Sequence, residues 1–150
     1  MSERKEVTMV NKVLMNAAIA LDGLCRQPYP DYKLRQRFRR IRRGLDAERD
    51  EVNELRREMQ EELATERDAD GRAARDADGR VILGVNQAKA DARWEELLKG
   101  STTVTIETIA PSDYDGVATI TPDMEEALWE AGILQEEDDD GERPSEAPED

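Results

Sequence analysis

Apolar residues recur at helical spacing in two stretches that are separated by two prolines. The first stretch, residues 8–25, predicts an amphipathic helix whose apolar stripe is Val10, Val13, Leu14, Ala17, Leu21 and Leu24. Pro28 and Pro30 are expected to end this helix, because proline disfavours a helical residue before it and supplies no amide donor. Asp31 is then placed to cap the next helix.

The second stretch, from about residue 32 to residue 66, predicts a long charged helix. Its apolar residues follow a 4-3-4-7-3-4 spacing, which is a coiled-coil-like heptad seam interrupted at Glu48: Leu34, Phe38, Ile41, Leu45, Val52, Leu55 and Met59. At 1.5 Å per residue the helix would span roughly 52 Å and extend past a small core. We therefore expect the seam to form an oligomer interface or to bind a partner helix. Gly44 is expected to mark a bend or a close crossing.

The middle of the chain predicts turns, a short strand and a third helix. Residues 67–80 read RDADGRAARDADGR, and Asp-Gly pairs form turns. Residues 81–83 are apolar and predict a short strand. Residues 86–99 predict a helix, with Asn86 as its cap and Gly100 as its end.

The period of the pattern then changes from 3.6 to 2. Residues 103–108 alternate and are rich in β-branched side chains, so they predict a strand, with residues 117–120 as its hairpin partner. Thr121 and Pro122 predict the start of a short C-terminal helix that stops at Gly132. The fold class is mainly α with a small β element (α+β).

The doubled Asp-Ala-Asp-Gly resembles part of a calcium-binding loop. An EF-hand loop needs a bidentate glutamate at its twelfth position, where the two possible registers place Ala77 and Val85. The repeat therefore favours turns over a calcium site.

Charged residues make up 39% of the chain, and the formal net charge is −14. Residues 136–150 contain nine acidic residues and one basic residue, so we expect a disordered acidic tail after a single domain of residues 1–135. No secretory signal or membrane span is expected. The single cysteine, Cys25, fits the cytoplasm and a buried, inert thiol better than a reactive one.

Histidine is absent, which removes the commonest general base and the commonest metal ligand. The sequence also contains no phosphate-binding loop and no nucleophile motif. We therefore expect no enzymatic activity, no cofactor and no metal.

A basic run in the long helix is the sharpest candidate site. Seven cations fall in residues 33–43, and five of them are expected to contact an anion or an acidic partner: Arg35, Arg39, Arg40, Arg42 and Arg43. Nucleic acid is disfavoured as the partner, because the whole chain is acidic and no aromatic side chains interleave the run. Eight carboxylates follow between residues 46 and 62, so antiparallel pairing of two copies would set each basic half against an acidic half, crossing near Glu48. A solvated face without a partner and a bound anionic small molecule remain open.

The order of features resembles a family of small, uncharacterised proteins encoded by tailed bacteriophages. The likeness spans about residues 8–134 and is carried by Asn16–Leu21, Ile41 with Leu45, Leu55–Arg57, Trp94–Leu98, Val104–Ile106 and Ile120–Pro122. The resemblance implies a phage origin, the cytoplasm of an infected bacterium and possible association with the virion. The family offers no active site to carry over.

Two functions follow as hypotheses. The first is a self-associating assembly or structural accessory protein, whose partners are a second copy or another phage protein. The second is an antagonist of host defence, which would mimic nucleic acid with its acidic surface or hold an anionic signalling nucleotide with the arginines.

Overall fold

A computed structural model describes residues 4–30 and 32–136. The elements are β1 (Arg4–Val10), α1 (Asn11–Cys25), α2 (Tyr32–Leu63), α3 (Gln87–Lys99), β2 (Ser101–Glu107) and α4 (Pro122–Glu130). A mainly helical fold with a two-stranded antiparallel sheet confirms the predicted class. The predicted cap Asp31 and residues 137–150 of the predicted tail lie outside the described residues.

The sheet joins the start of the described chain to a strand about a hundred residues later. β1 runs antiparallel to β2, with Arg4 opposite Glu107 and Val10 opposite Ser101. The prediction that residues 8–10 are helical is therefore wrong, and α1 begins at Asn11, whose amide donates to the Gly100 carbonyl at 2.7 Å. The error has a physical cause, since the partner that makes β1 a strand lies about a hundred residues away.

The predicted hairpin is also wrong, because residues 117–120 form no strand. The amides of Val117 and Ala118 both donate to the Tyr114 carbonyl, at 2.9 and 3.0 Å, so this segment turns back on itself. The short strand predicted at residues 81–83 reduces to one bridge between Val81 and Arg75.

The main core lies where α1, α2, α4 and β2 meet. Its largest side chains are fully buried and come from all four elements and from the segment after α4: Leu14, Leu21, Leu24, Phe38, Ile41, Leu45, Ile106, Leu128, Ile133 and Leu134. A smaller cluster of Leu63, Leu83 and Ala90 joins the end of α2 to α3. The C-terminal half of α2 is thus held by far fewer apolar contacts than its N-terminal half.

Side-chain hydrogen bonds and a glycine mark three helix termini. Asn86, which was expected to cap α3, instead donates from Nδ2 to the Leu63 carbonyl at 2.8 Å and so caps the C-terminal end of α2. The predicted cap of α4 is confirmed, since the Met124 amide donates to the Thr121 hydroxyl at 3.2 Å. Gly132 follows α4 with a φ of +77°, a conformation that favours glycine.

Within residues 4–30 and 32–136, no helix combines the length and the apolar composition needed to cross a membrane.

Candidate functional site

The apolar seam of α2 packs inside the chain's own core. Phe38, Ile41 and Leu45 are fully buried and Val52 nearly so. Leu34 is half-buried against the same core. These residues pack against α1 and β2, so they would meet a second copy only if the core opened.

The remaining two seam residues lie further along α2. Met59 packs on the small cluster around Leu63, and Leu55 is 40% exposed. The expectation that the whole seam forms an oligomer interface is corrected accordingly. A helix of 32 residues does need a partner along its apolar face, but α1 and β2 supply it.

Three of the five candidate arginines form hydrogen bonds or ion pairs with other residues of the chain. Arg35 donates from Nη2 to the Gln27 carbonyl at 3.1 Å, and its guanidinium lies 5.8 Å from the centre of the Tyr29 ring. Arg42 forms an ion pair of 3.7 Å with Asp22 of α1. Arg40 binds the carboxylate of β2 that is described next.

Glu107 is a buried carboxylate that the sequence did not single out. Only 6% of its side chain is exposed, and Arg40 donates to both of its oxygens, from Nε at 3.0 Å and from Nη2 at 3.2 Å. This hydrogen bond raises the pKa of Arg40 above its ordinary value. Arg37 adds an ion pair at 3.3 Å and also donates to the Thr108 carbonyl at 2.9 Å. The basic half of α2 is therefore tied to the last residues of β2.

The sequence carried one faint signal for this cluster. Glu107 is the one charged residue in an otherwise apolar and hydroxyl-bearing strand. A carboxylate at the end of a buried strand needs cations nearby, because an unpaired charge is costly to bury. Arg37 and Arg40 are its partners, and they lie one helical turn apart, so both reach the same group.

A pocket of about 300 Å³ opens beside this cluster. Its lining is largely basic and comes from both strands and from α2: Arg4, Arg40, Arg43, Gly44, Thr105 and Glu107. Gly44 lies against the backbone of β2, because a Cβ built there would stand 2.8 Å from the Thr105 carbonyl oxygen. The close crossing expected at Gly44 is confirmed.

Arg39 and Arg43 are the two candidate arginines that form no ion pair with any residue in the described ranges. Both are exposed and lie one helical turn apart, on the side of α2 that faces away from the core. Like charges at this spacing repel each other in an isolated helix. No carboxylate among the described residues forms an ion pair with either arginine to offset this repulsion.

The outward face of α2 continues beyond these arginines and changes sign. We define it as the exposed residues Arg39, Arg40, Arg43, Ala47, Asp50, Glu51, Glu54 and Glu58. Ala47 stands between the basic and the acidic part. Glu51 and Glu58 form no ion pair within the described part of the chain, whereas Glu54 pairs with Arg57. The face is therefore polarised along the helix axis, with a small side chain at its midpoint.

The doubled Asp-Ala-Asp-Gly forms two matching turns, as expected. The Asp68 carboxylate accepts from the amides of Asp70 and Arg72, at 2.9 and 3.0 Å, and Asp76 accepts in the same way from Asp78 and Arg80. Gly71 and Gly79 each have a φ of +81°. Within the described ranges, no three acidic, cysteine or histidine side chains are placed to hold a metal ion.

Cys25 is buried, as expected, and burial raises the pKa of its thiol. Next to it, the Tyr29 hydroxyl donates to the Leu24 carbonyl at 2.6 Å, and burial raises the pKa of Tyr29 to about 12. A buried thiol with a raised pKa is mostly protonated at neutral pH and is a poor nucleophile.

A second concave surface lies between α1 and α4. This groove of about 540 Å³ has an apolar floor that includes Val13 and Met124 and a rim that includes Glu126 and Glu130. Ile19 lines it while remaining 67% exposed. Nothing in the sequence indicates this groove, because its two walls are about a hundred residues apart along the chain.

No protein-family model, no curated protein and no solved structure matches this chain.

Proposed function

We propose that this chain is a non-catalytic interaction protein that pairs with a second copy of itself through the outward face of α2. The observation that carries the proposal is the polarity of that face. Among the described residues, Arg39 and Arg43 form no ion pair on one side of Ala47, and Glu51 and Glu58 form none on the other. Antiparallel pairing of two such faces brings the basic part of each helix against the acidic part of the other.

The geometry of the pair follows from helical spacing. If the two helices cross antiparallel at Ala47, Arg43 of one copy stands opposite Glu51 of the other, and Arg40 stands opposite Glu54. Two-fold symmetry repeats each contact, so a single crossing point forms every pair twice. The small side chain of Ala47 lets the helices approach at the crossing. This arrangement keeps the predicted antiparallel pairing but moves it from the apolar seam to the opposite face of the helix.

The expected association is weak and sensitive to salt. Exposed ion pairs contribute about 0.2–1 kcal/mol each, and the outward face offers no large apolar side chain at its midpoint. The pairs also relieve the repulsion between Arg39 and Arg43. Raising the salt from 0.1 M to 1 M shortens the Debye length from about 10 Å to about 3 Å, so the dimer should dissociate at high salt.

Sedimentation equilibrium of the full chain at low and high salt tests the proposal. The mass should exceed the 17.0 kDa monomer at low salt and approach it at high salt. The double variant Arg39→Glu/Arg43→Glu should be monomeric at both. Its matched control, Arg72→Glu/Arg80→Glu, changes the net charge equally in the exposed turns and should associate like the wild type.

A charge-swap experiment separates pairing across this face from general repulsion. Glu51→Arg should also be monomeric alone, but mixing it with Arg43→Glu should restore a two-chain complex, because these two positions stand opposite each other in the pair. A wild-type chain that remains monomeric at high micromolar concentration and low salt would refute the proposal. So would a mixture of the two variants that stays monomeric.

The non-catalytic part of the proposal is supported by the side chains the molecule offers. The chain contains no histidine, and its single cysteine is buried with a raised pKa. The acidic groups nearest the basic pocket are neutralised by Arg37 and Arg40.

In the setting implied by the resemblance to tailed-phage proteins, such a dimer would act as an assembly or structural accessory factor in the infected cell. That origin and that role stay predictions. A virion preparation probed with an antibody to this chain would test them, and absence from both virions and assembly intermediates would count against the role.

The second candidate function is antagonism of a host defence through an anionic nucleotide. It is favoured by one observation, the pocket bordered by Arg4, Arg40 and Arg43. Titration calorimetry with a nucleoside triphosphate and with a cyclic dinucleotide would test it. Binding that is lost in Arg4→Gln/Arg43→Gln would support this alternative, and the absence of heat at millimolar nucleotide would refute it.

A further inference from the structure

We infer that the pocket bordered by Arg4, Arg40 and Arg43 is a binding site for a carboxylate-rich peptide, and that its occupant is the chain's own segment of residues 137–150. The inference concerns a contact within one chain, and it shares Arg43 with the proposed dimer, so the two contacts compete for that side chain. It combines the position at which the described chain ends, the chemistry of the pocket and the charge of the segment that follows.

The described chain ends close to this pocket. The Gln135 amide donates to the Ile109 carbonyl at 2.9 Å, and Ile109 forms a parallel bridge with Leu134. Ile109 is only two residues beyond Glu107, which lines the pocket and stands opposite Arg4 in the sheet. Two residues span at most about 7 Å, so the last described residues lie near the end of β2 that carries Glu107.

Two of the three arginines that line the pocket have no ion-pair partner among the described residues. Arg40 is already bound to Glu107, but Arg4 and Arg43 form no ion pair within the described residues. Their forked guanidinium groups match the two oxygens of a carboxylate, and charge-assisted pairs of this kind are stronger than neutral hydrogen bonds. Two unpaired arginines beside a third favour an anionic ligand.

The segment that follows supplies the matching charge. Residues 137–150 contain eight acidic residues and one basic residue. Fully extended, fourteen residues reach at most about 46–50 Å, which is well beyond the distance to the pocket. Several carboxylates can therefore reach the arginines.

Tethering lowers the affinity that is required. A segment joined to its site by a short linker has an effective concentration in the millimolar range, so even a millimolar intrinsic affinity leaves the pocket substantially occupied. A free anion at cytoplasmic concentration would have to bind more tightly to displace it. This is why the chain's own carboxylates are favoured over a separate ligand.

The test uses the full chain with a nitroxide spin label on Ala147→Cys and amide signals from a ¹⁵N-labelled sample. Cys25 is buried, and treating the wild-type chain with the same reagent controls for its labelling. At low salt, the amides of Arg4, Arg43 and Thr105 should lose most of their intensity. Amides of the Asp-Gly turns, such as Gly71 and Gly79, should keep theirs.

Two variants separate a specific site from general attraction. Arg4→Gln/Arg43→Gln should restore the lost intensities, whereas Arg72→Gln/Arg80→Gln should leave the broadening unchanged. Salt at 1 M should also restore the signals, because it screens charges beyond about 3 Å.

Four outcomes would overturn the inference. Broadening that is absent at the pocket, or that survives in Arg4→Gln/Arg43→Gln, would exclude this site. A mixture of spin-labelled ¹⁴N chains with unlabelled ¹⁵N chains shows only contacts between chains, and pocket broadening of full size in that mixture would exclude a contact within one chain. Recovery of the pocket signals on adding a nucleoside triphosphate at equimolar concentration would assign the pocket to the nucleotide instead.

Discussion

Substitution of Gly44 by alanine should destabilise the protein, although alanine is the better helix former. A Cβ at this position would stand 2.8 Å from the Thr105 carbonyl oxygen, whereas ordinary contacts begin at 3.4 Å. The atom in the way belongs to the backbone of β2. Because no side chain can move aside to relieve the contact, α2 and β2 must separate. Overpacking of this kind costs about 1–3 kcal/mol, and alanine returns about 1 kcal/mol of helix propensity.

The difference is about 0–2 kcal/mol, so we expect Gly44→Ala to lower the free energy of unfolding by about 1 kcal/mol, measured by urea denaturation. For a chain of this size that corresponds to a fall in Tm of about 2–4 °C for each kcal/mol. The separation would also strain the Arg40–Glu107 pair, which lies beside the contact. The loss should therefore exceed the propensity gain.

Gly23 provides a matched control in another helix. A Cβ there would meet only the terminal methyl of Met124, at 3.2 Å, and that flexible side chain can move. Gly23→Ala should therefore be neutral or slightly stabilising. Equal destabilisation by the two substitutions, or a Gly44→Ala variant as stable as the wild type, would refute the close-contact argument.

Three further predictions concern individual side chains. Glu107→Gln should lower the free energy of unfolding, measured in urea, by about 1–3 kcal/mol, because Arg37 and Arg40 lose a buried charged acceptor. Glu6→Gln, at an exposed position of β1, should change it little, and equal effects of the two substitutions would contradict the role of Glu107 as a buried ion-pair partner. Burial raises the pKa of Tyr29 to about 12 from an ordinary value of 10.0, so folding favours the protonated phenol, and this stability is present below pH 10 and lost as the pH rises towards 12. In Tyr29→Phe, the free energy of unfolding in urea should fall less between pH 10 and 12 than in the wild type, and an equal fall would contradict the raised pKa. Burial raises the pKa of Cys25, so its thiol should react with Ellman's reagent far more slowly in the native chain than in urea, and equal rates would show that it is accessible.

The sequence was most informative about elements whose signals are local. Helix periodicity located α1, α2 and α3 to within a few residues, and the Thr121 hydroxyl and Pro122 fixed the start of α4. The Asp-Gly turns followed from local chemistry in the same way, since each aspartate accepts amides two and four residues further on. Such interactions form within one or two turns of the chain, so the residue types report them directly.

The candidate site was predicted only in outline. The basic run is visible in the sequence, but its seven cations look equivalent there. Arg40 is held by Glu107, 67 residues away, and Arg42 by Asp22, 20 residues before it. Which arginines remain unpaired therefore depends on how α1 and β2 pack against α2.

The sequence by itself determined where the four helices lie and the change of sign along α2, because helix formation and charge are properties of neighbouring residues. Only the tertiary structure decided that β1 pairs with β2, that Asn11 is buried with its side chain donating to the Leu97 carbonyl, and that the apolar seam is covered. Each of these three features depends on contacts between residues 60 to 100 positions apart, or on which apolar surfaces of the chain pack together. A periodic pattern shows that a face will be buried, but it does not show what buries it. For α2 the partners are the chain's own α1 and β2, and the charged outward face stays exposed.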